Sequence, residues 1–278
     1  YFCQLIRKDN MSYQLICTDI DGTLLNKDRE LSKETIAQVQ RVAPIPMVLI
    51  SSRMPKGMRH LQKEFKNETT PIIAYNGGLI LDQERVLHST FIKNEVLAEI
   101  INKCSNTSIH LSLFYADEWY VPTMDYWAIR EENNTKVTPT IKSNSEVLKA
   151  WEIEEKGAHK IMCMGDATEI DVLYQLLEKE FSDEIMLYRS KDTYIEISHK
   201  SISKKTAIEV LLKIVYPEIS MKNVVAFGDN YNDIEMLKAV GLGVAVANAN
   251  DEVLKVAKVI TDSNKKDGVA NAIKEFFV

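Results

Sequence analysis

Asp19 and Asp21 stand two apart in "CTDIDGTLL", directly after the apolar run Tyr13–Cys17. Residues two apart share a face of a strand, so the two carboxylates meet and repel. One reading is a surface turn, because Asp-Gly is a common turn pair. The other is a reaction centre in which a cation offsets the repulsion and each carboxylate has its own task. A second acidic run, "GDNYND" at Gly228–Asp233, follows the apolar run Val224–Phe227. A helix N-terminus favours carboxylates, which accounts for Asp233 but not for the preceding Gly228 and Asp229. Two acidic strand ends from distant parts of the chain would make an oxygen-rich site suited to Mg²⁺, a hard cation held by carboxylates, waters and phosphate. Ser51-Ser52 and the approach to Lys204 supply hydroxyl and ammonium groups at two further strand ends.

The elements that must position these groups alternate. Tyr13–Thr18 reads as a buried strand, Thr35–Val42 as a helix capped by Ser32, and Met47–Ile50 as a strand. Pro55–Phe65 reads as a helix and Ile72–Tyr75 as a strand closed by the turn Asn76-Gly77-Gly78. From Ser203 the alternation returns: helix Lys205–Tyr216, strand Val224–Phe227, helix Ile234–Val240, strand Gly243–Val246, helix Asp251–Val256 and strand Val259–Thr261. Between them the pattern is α+β, with helices at Glu95–Lys103 and Ile170–Phe181, and a hairpin of Ile109–Tyr115 and Trp119–Val121. Lys160–Met164, Ile185–Tyr188 and Tyr194–Ile197 read as further strands, and the polar stretch Arg130–Pro139 as a loop. The expected fold is a doubly wound parallel α/β core interrupted by an inserted α+β cap. Its parts are residues 1–82 and 199–278 for the core and 83–198 for the cap.

A chain of 278 residues has room for such a pair of domains. A net charge of −6 argues against nucleic acid as main partner, and no apolar run is long enough for a membrane helix. The first ten residues are too short and polar for a signal peptide; Met11 reads as a natural start and residues 1–10 as an extension. Four scattered cysteines, Cys3, Cys17, Cys104 and Cys163, suggest reduced thiols and a cytoplasmic location, with Cys17 and Cys163 in the core. Isolated histidines give no zinc pattern. "GLGVAV" lacks the third glycine of a dinucleotide fingerprint. Trp119, Tyr120, Tyr126 and Trp127 read as packing residues or as the lining of a pocket in the cap.

Taken together, these runs resemble the haloacid dehalogenase (HAD) superfamily, in particular the Cof-type phosphatases (type IIB, with a C2 cap). "DIDGTLL" is similar to that family's DxDGT motif, Ser51 to its hydroxyl at the second strand end, Lys204 in "SISKKTA" to its lysine, and "GDNYNDIEML" to GDxxND. The resemblance spans about residues 12–278. Two departures are visible: Ser51-Ser52-Arg53 replaces Thr-Gly-Arg, and Lys205 stands where a glycine is common.

The resemblance implies a Mg²⁺-dependent phosphatase acting on a small phosphorylated metabolite, with a sugar phosphate as the default. Asp19 would be the nucleophile that forms an aspartyl-phosphate, and Asp21 the acid/base. Asp19, the Asp21 carbonyl and Asp229 would hold Mg²⁺. Ile20, Ser51, Ser52, Lys204 and Asn232 would bind the phosphoryl group, with Asp233, Asn76 and Gly77 in support. Arg53 and His199 would lie near the cleft in structural roles. A phosphotransferase or mutase, or a binding protein on an inactive HAD scaffold, are the alternatives. A monomer or weak homo-oligomer is expected.

Overall fold

The computed structural model describes residues 13–277. The expected N-terminal extension and Cys3 lie outside them. The described chain forms two compact units, the second interrupting the first in sequence.

The first unit comprises the described residues up to 50, with 61–71 and those from 204 on. Its strands are β1 (Leu15–Thr18), β2 (Met47–Ile50), β12 (Val224–Gly228), β13 (Leu242–Val246) and β14 (Val259–Thr261). They lie parallel in the order β14-β13-β12-β1-β2. Residues of β1, β2, β12 and β13 are buried throughout, as a parallel sheet covered on both faces requires. Helices α1 (Lys33–Arg41), α2 (Arg59–Phe65, which starts in the second unit), α7 (Lys204–Val215), α8 (Ile234–Ala239), α9 (Asp251–Val256) and α10 (Gly268–Phe276) fill the connections. Ser32 caps α1 by accepting from the Thr35 amide. Winding runs from β1 to β2 in one direction and from β12 to β14 in the other. The order therefore reverses between β1 and β12, where an open α/β sheet leaves a crevice at its strand ends.

The second unit comprises residues 51–60 and 72–203. It begins with an antiparallel meander of β3 (Ile72–Ala74), β4 (Leu79–Asp82) and β5 (Arg85–Ser89). A six-stranded sheet follows, built from β6 (His110–Tyr115), β7 (Glu118–Val121), β8 (Thr140–Ile141), β9 (Lys160–Met164), β10 (Ile185–Lys191) and β11 (Tyr194–His199) in the order β10-β11-β9-β6-β7-β8. Leu111, Leu113, Ile161, Cys163, Ile195 and Ile197 share one face of it. They pack with residues of α3 (Asn94–Cys104), α5 (Asn144–Ile153) and α6 (Ala167–Phe181). Phe114, Lys160 and Met162 alternate onto the opposite face.

Two expectations fail here. The polar stretch taken as a loop from Arg130 is largely helix: α4 spans Tyr126–Thr135. Asp125 caps it, accepting from the Trp127 and Ala128 amides, while its second oxygen meets His110 Nδ1 at 2.7 Å. Lys136 ends it in the left-handed conformation. Capping and a tertiary anchor outweigh a weak apolar periodicity. The expected single helix from Pro55 is a 3-10 turn, Pro55–Gly57, followed by α2. Cys17, Cys104 and Cys163 are buried free thiols.

Candidate active site

β1 delivers Asp19 to the end of the first unit's sheet, where its amide donates to Phe227 O of β12 at 3.0 Å. β12 delivers Asp229 to the same end. The two acidic runs therefore meet at the point where the strand order reverses.

Lys204, the first residue of α7, is 1% exposed. Its Nζ donates to Asp19 Oδ1 and to Asp233 Oδ1, each at 2.6 Å. Asp233 is fully buried, and its other oxygen accepts from the Asp229 and Asn230 amides. Both of its oxygens are thus engaged by the protein. Asp229 accepts from Thr23 Oγ1 at 2.6 Å, and its carbonyl accepts from the Asn250 amide. Gly22 adopts φ +90°, and a Cβ there would lie 2.4 Å from Asp229 Oδ2. That position admits only glycine, for both its backbone conformation and its space.

The charge balance of this cluster is uneven. One oxygen from each of Asp19, Asp229 and Asp233 lies within 4.8 Å of the others. Lys204 is the cation that pairs with two of them. Burial pushes the Asp19 pKa well above the usual carboxylate range; Lys204 pulls it back, and Asp233 and Asp229 push it up again. Asp229 is raised to about 6, chiefly by burial, against the hydrogen bond from Thr23. Burial works against the charge of Lys204, but Asp19 and Asp233 outweigh it and hold its pKa above the ordinary lysine value. A donor set of carboxylate oxygens short of positive charge suits a hard divalent cation. Asp19 and Asp229 are the residues suited to hold it, since Asp233 is already satisfied.

Other expected site residues take different positions. Ile20 is fully buried directly after Asp19. The Asp21 carboxylate turns to Arg29, whose guanidinium reaches Oδ1 at 2.6 Å in a half-exposed pair. Asn232 lies on the 3-10 turn Tyr231–Asp233 and is half-buried. Lys205 pairs with Glu209 along α7, so Lys204 alone of the two reaches the cluster. Ser51, Ser52, Asn76 and Gly77 belong to the second unit. Ser51 is buried; its amide donates to Ile73 O, its carbonyl accepts from the Asn76 amide, and its Oγ accepts from the Arg53 amide at 3.2 Å. Asn76 and Gly77 both have positive φ, and Asn76 Nδ2 reaches Glu196 Oε1 at 3.2 Å. Arg53 is buried and donates to Gly57 O, and His199 bonds to Ser201. Trp119 packs on Phe114, whereas Tyr126 is exposed.

Sequence reasoning gave Thr23 and Arg29 no part. Thr23 lies inside the motif that drew attention to Asp19. Its closeness to Asp229, which directly follows β12, becomes visible only once β1 and β12 pair.

The chain matches the haloacid dehalogenase-like hydrolase family over residues 16–273. A Haemophilus influenzae protein carrying a provisional phosphatase name is 32% identical over 281 residues, covering 96% of this chain and 99% of that one. A Bacillus subtilis 5-amino-6-(5-phospho-D-ribitylamino)uracil phosphatase is 29% identical over 279 residues and covers 98% of each. Among solved structures, a haloacid dehalogenase-like hydrolase from Bacteroides thetaiotaomicron superposes with a TM-score of 0.86 at 27% identity, over 96% of this chain and 100% of that one. With a match across nearly its whole length and with the two acidic strand ends brought together, the chain belongs to the haloacid dehalogenase-like hydrolase family.

Proposed function

We propose that this HAD-type phosphatase hydrolyses a small phosphorylated metabolite, a sugar or polyol phosphate, through an aspartyl-phosphate on Asp19. The observation that carries this reading is Asp19 itself. It stands at the strand end where the order reverses, one oxygen fixed by Lys204, beside Asp229.

The Asp19 carboxylate attacks phosphorus, and the ester P–O bond breaks. Asp21 gives a proton to the departing alkoxide, then takes one from the water that attacks the phosphoaspartate. Phosphate leaves and Asp19 is restored. Lys204 holds the nucleophile in place and offsets charge on the phosphoryl oxygens. The Ile20 amide, Ser51, the Ser52 amide and Asn232 bind those oxygens. Mg²⁺, held by Asp19, the Asp21 carbonyl and Asp229, would lessen the repulsion between anionic nucleophile and anionic phosphate. The half-exposed Asp21–Arg29 pair is of the weak surface kind, so Asp21 can leave it when substrate arrives. Residues 83–198 carry substrate choice and exclude water during turnover. The Bacillus subtilis relative named for a phosphoribityl substrate supports including polyol phosphates.

The test is hydrolysis of p-nitrophenyl phosphate with Mg²⁺ and with EDTA, followed by a panel of sugar, polyol and nucleotide phosphates. Activity that needs Mg²⁺ and favours the first two classes is expected. Undiminished activity in EDTA would remove the metal from the account, and equal rates on every class would remove the substrate assignment.

A further inference from the structure

Lys160, on β9 of the second unit, is 3% exposed. Its ammonium lies 4.4 Å from the centre of the Phe114 ring, its cross-strand neighbour, and 5.9 Å from that of Tyr75. No carboxylate pairs with it among the described residues. Its hydrogen bond runs to Ser52 O at 3.0 Å. Ser52 O and the Arg53 amide belong to one peptide group, and that amide donates to Ser51 Oγ at 3.2 Å. Lys160 is thus linked through a single peptide unit to the Ser51 hydroxyl.

We propose that Lys160 is a positioning residue for phosphoryl binding, acting through the Ser52–Arg53 peptide on the Ser51 hydroxyl. This rests on Ser51 binding the phosphoryl group, as read above.

The physical basis has two parts. A cation at a carbonyl oxygen polarises its peptide, so the N–H at the other end becomes a stronger donor; hydrogen bonds in a chain reinforce one another in this way. The Arg53 N–H occupies a lone pair of Ser51 Oγ, which leaves the hydroxyl proton to be donated outward. A phosphoryl group offers only acceptors, so a serine whose oxygen is already bound by a donor is set to give its proton to that group. A buried ammonium without a paired carboxylate keeps its field for this peptide, because aromatic faces attract a cation without cancelling its charge. The loop is held elsewhere too. Asp117 accepts from the Lys56 amide and from Arg59, and the Tyr75 hydroxyl donates to Ala116 O. Loss of Lys160 therefore removes the polarisation while these contacts still hold the backbone.

The test is a double-mutant cycle of Lys160→Met and Ser51→Ala, read in kcat/KM for p-nitrophenyl phosphate and in competitive inhibition by inorganic phosphate. Each single change is expected to lower kcat/KM and to weaken phosphate inhibition about tenfold or more. In the Ser51→Ala background, Lys160→Met should cost less than about threefold, since the group it acts through is gone. Lys160→Arg should recover most of the activity of Lys160→Met. Independent effects, multiplying in the double variant, would overturn the proposal while leaving Ser51 as a phosphate ligand. Ser51→Ala without effect would overturn both this inference and the role given to Ser51. If Lys160→Met does not fold, Lys160→Gln, which keeps a donor without the charge, completes the cycle with the same expected coupling.

Discussion

Among the described residues two lysines are buried, one in each unit, and they are stabilised in different ways. Lys204 stands between two carboxylates, each 2.6 Å away. Lys160 has one carbonyl and two aromatic faces. The first arrangement neutralises charge: the ammonium is part of the balance of an acidic cluster, and removing it leaves carboxylates buried without a partner. The second leaves the cation's field largely unspent and directs it into a peptide group. Burial alone therefore says little about what a lysine does. Its acceptors decide whether it supports a charged neighbour or polarises a neutral one.

The largest expected effects lie on the Lys204 side. Asp19→Asn should abolish turnover of every substrate, by at least about a thousandfold, with no phosphoenzyme trapped after rapid quenching. Residual labelling of the Asn variant would place the nucleophile elsewhere. Lys204→Met should also cost stability, on the order of 3–5 kcal/mol, because a buried ion pair loses one partner. In a chain of this size that is a fall in Tm on the order of 10 °C. Without the ammonium, the already raised pKa of Asp19 rises further in the folded state. A carboxylate with a raised folded pKa stabilises the fold at low pH and loses that contribution as pH rises through the folded value. The deficit of Lys204→Met should therefore shrink on acidification. Lys160→Met should show no such pH dependence, since no carboxylate pairs with it among the described residues. A deficit with the same pH profile in both variants would erase the contrast between the two lysines.

Asp229 sharpens the same point at smaller magnitude. Its folded pKa of about 6 lies above the ordinary carboxylate value, so in metal-free protein its contribution is lost as pH rises through about 6. Asp229→Asn should then be the more stable form above that pH, by a few degrees in Tm, with the advantage fading towards pH 4. The same variant should lose most of the rise in Tm that Mg²⁺ gives the parent protein. A metal response that survives the substitution would take Asp229 out of the metal site.

The smallest effect belongs to Arg29. Its pair with Asp21 is half-exposed, and such pairs contribute about 0–1 kcal/mol. Arg29→Ala should change kcat/KM by no more than about threefold. A much larger loss would show that the guanidinium does more than occupy Asp21 between turnovers.

The parts of this site that were legible in the sequence are those that local chemistry marks. Asp19, Asp229 and Lys204 each follow a recognisable strand end or open a helix, and unusual residue types at such places invite explanation. Thr23 and Lys160 carry no such mark. Thr23 reads as an ordinary residue after Asp-Gly until the pairing of β1 with β12 brings Asp229 to its hydroxyl. Lys160 reads as the polar start of a strand, and only the loop at Ser52 and the ring of Phe114 show that its charge is enclosed. Helix α4 was illegible for a related reason. Its stretch "REENNT" is polar, and the anchor that holds it is a contact of its cap residue Asp125 with His110 on another element. β4 and β5, and helices α5 and α10, also lie outside the elements expected from the sequence.

The central claim is that two aspartates two residues apart divide the chemistry, and Asp21→Asn tests it most directly. A sugar alkoxide needs a proton to leave, whereas p-nitrophenolate needs little help. Rapid mixing of Asp21→Asn with p-nitrophenyl phosphate should release about one p-nitrophenol per active site in a fast phase, followed by a slow steady rate as water attacks the phosphoaspartate unaided. The same variant should give no burst with a sugar phosphate. Equal loss of the first step for both leaving groups would contradict the role assigned to Asp21.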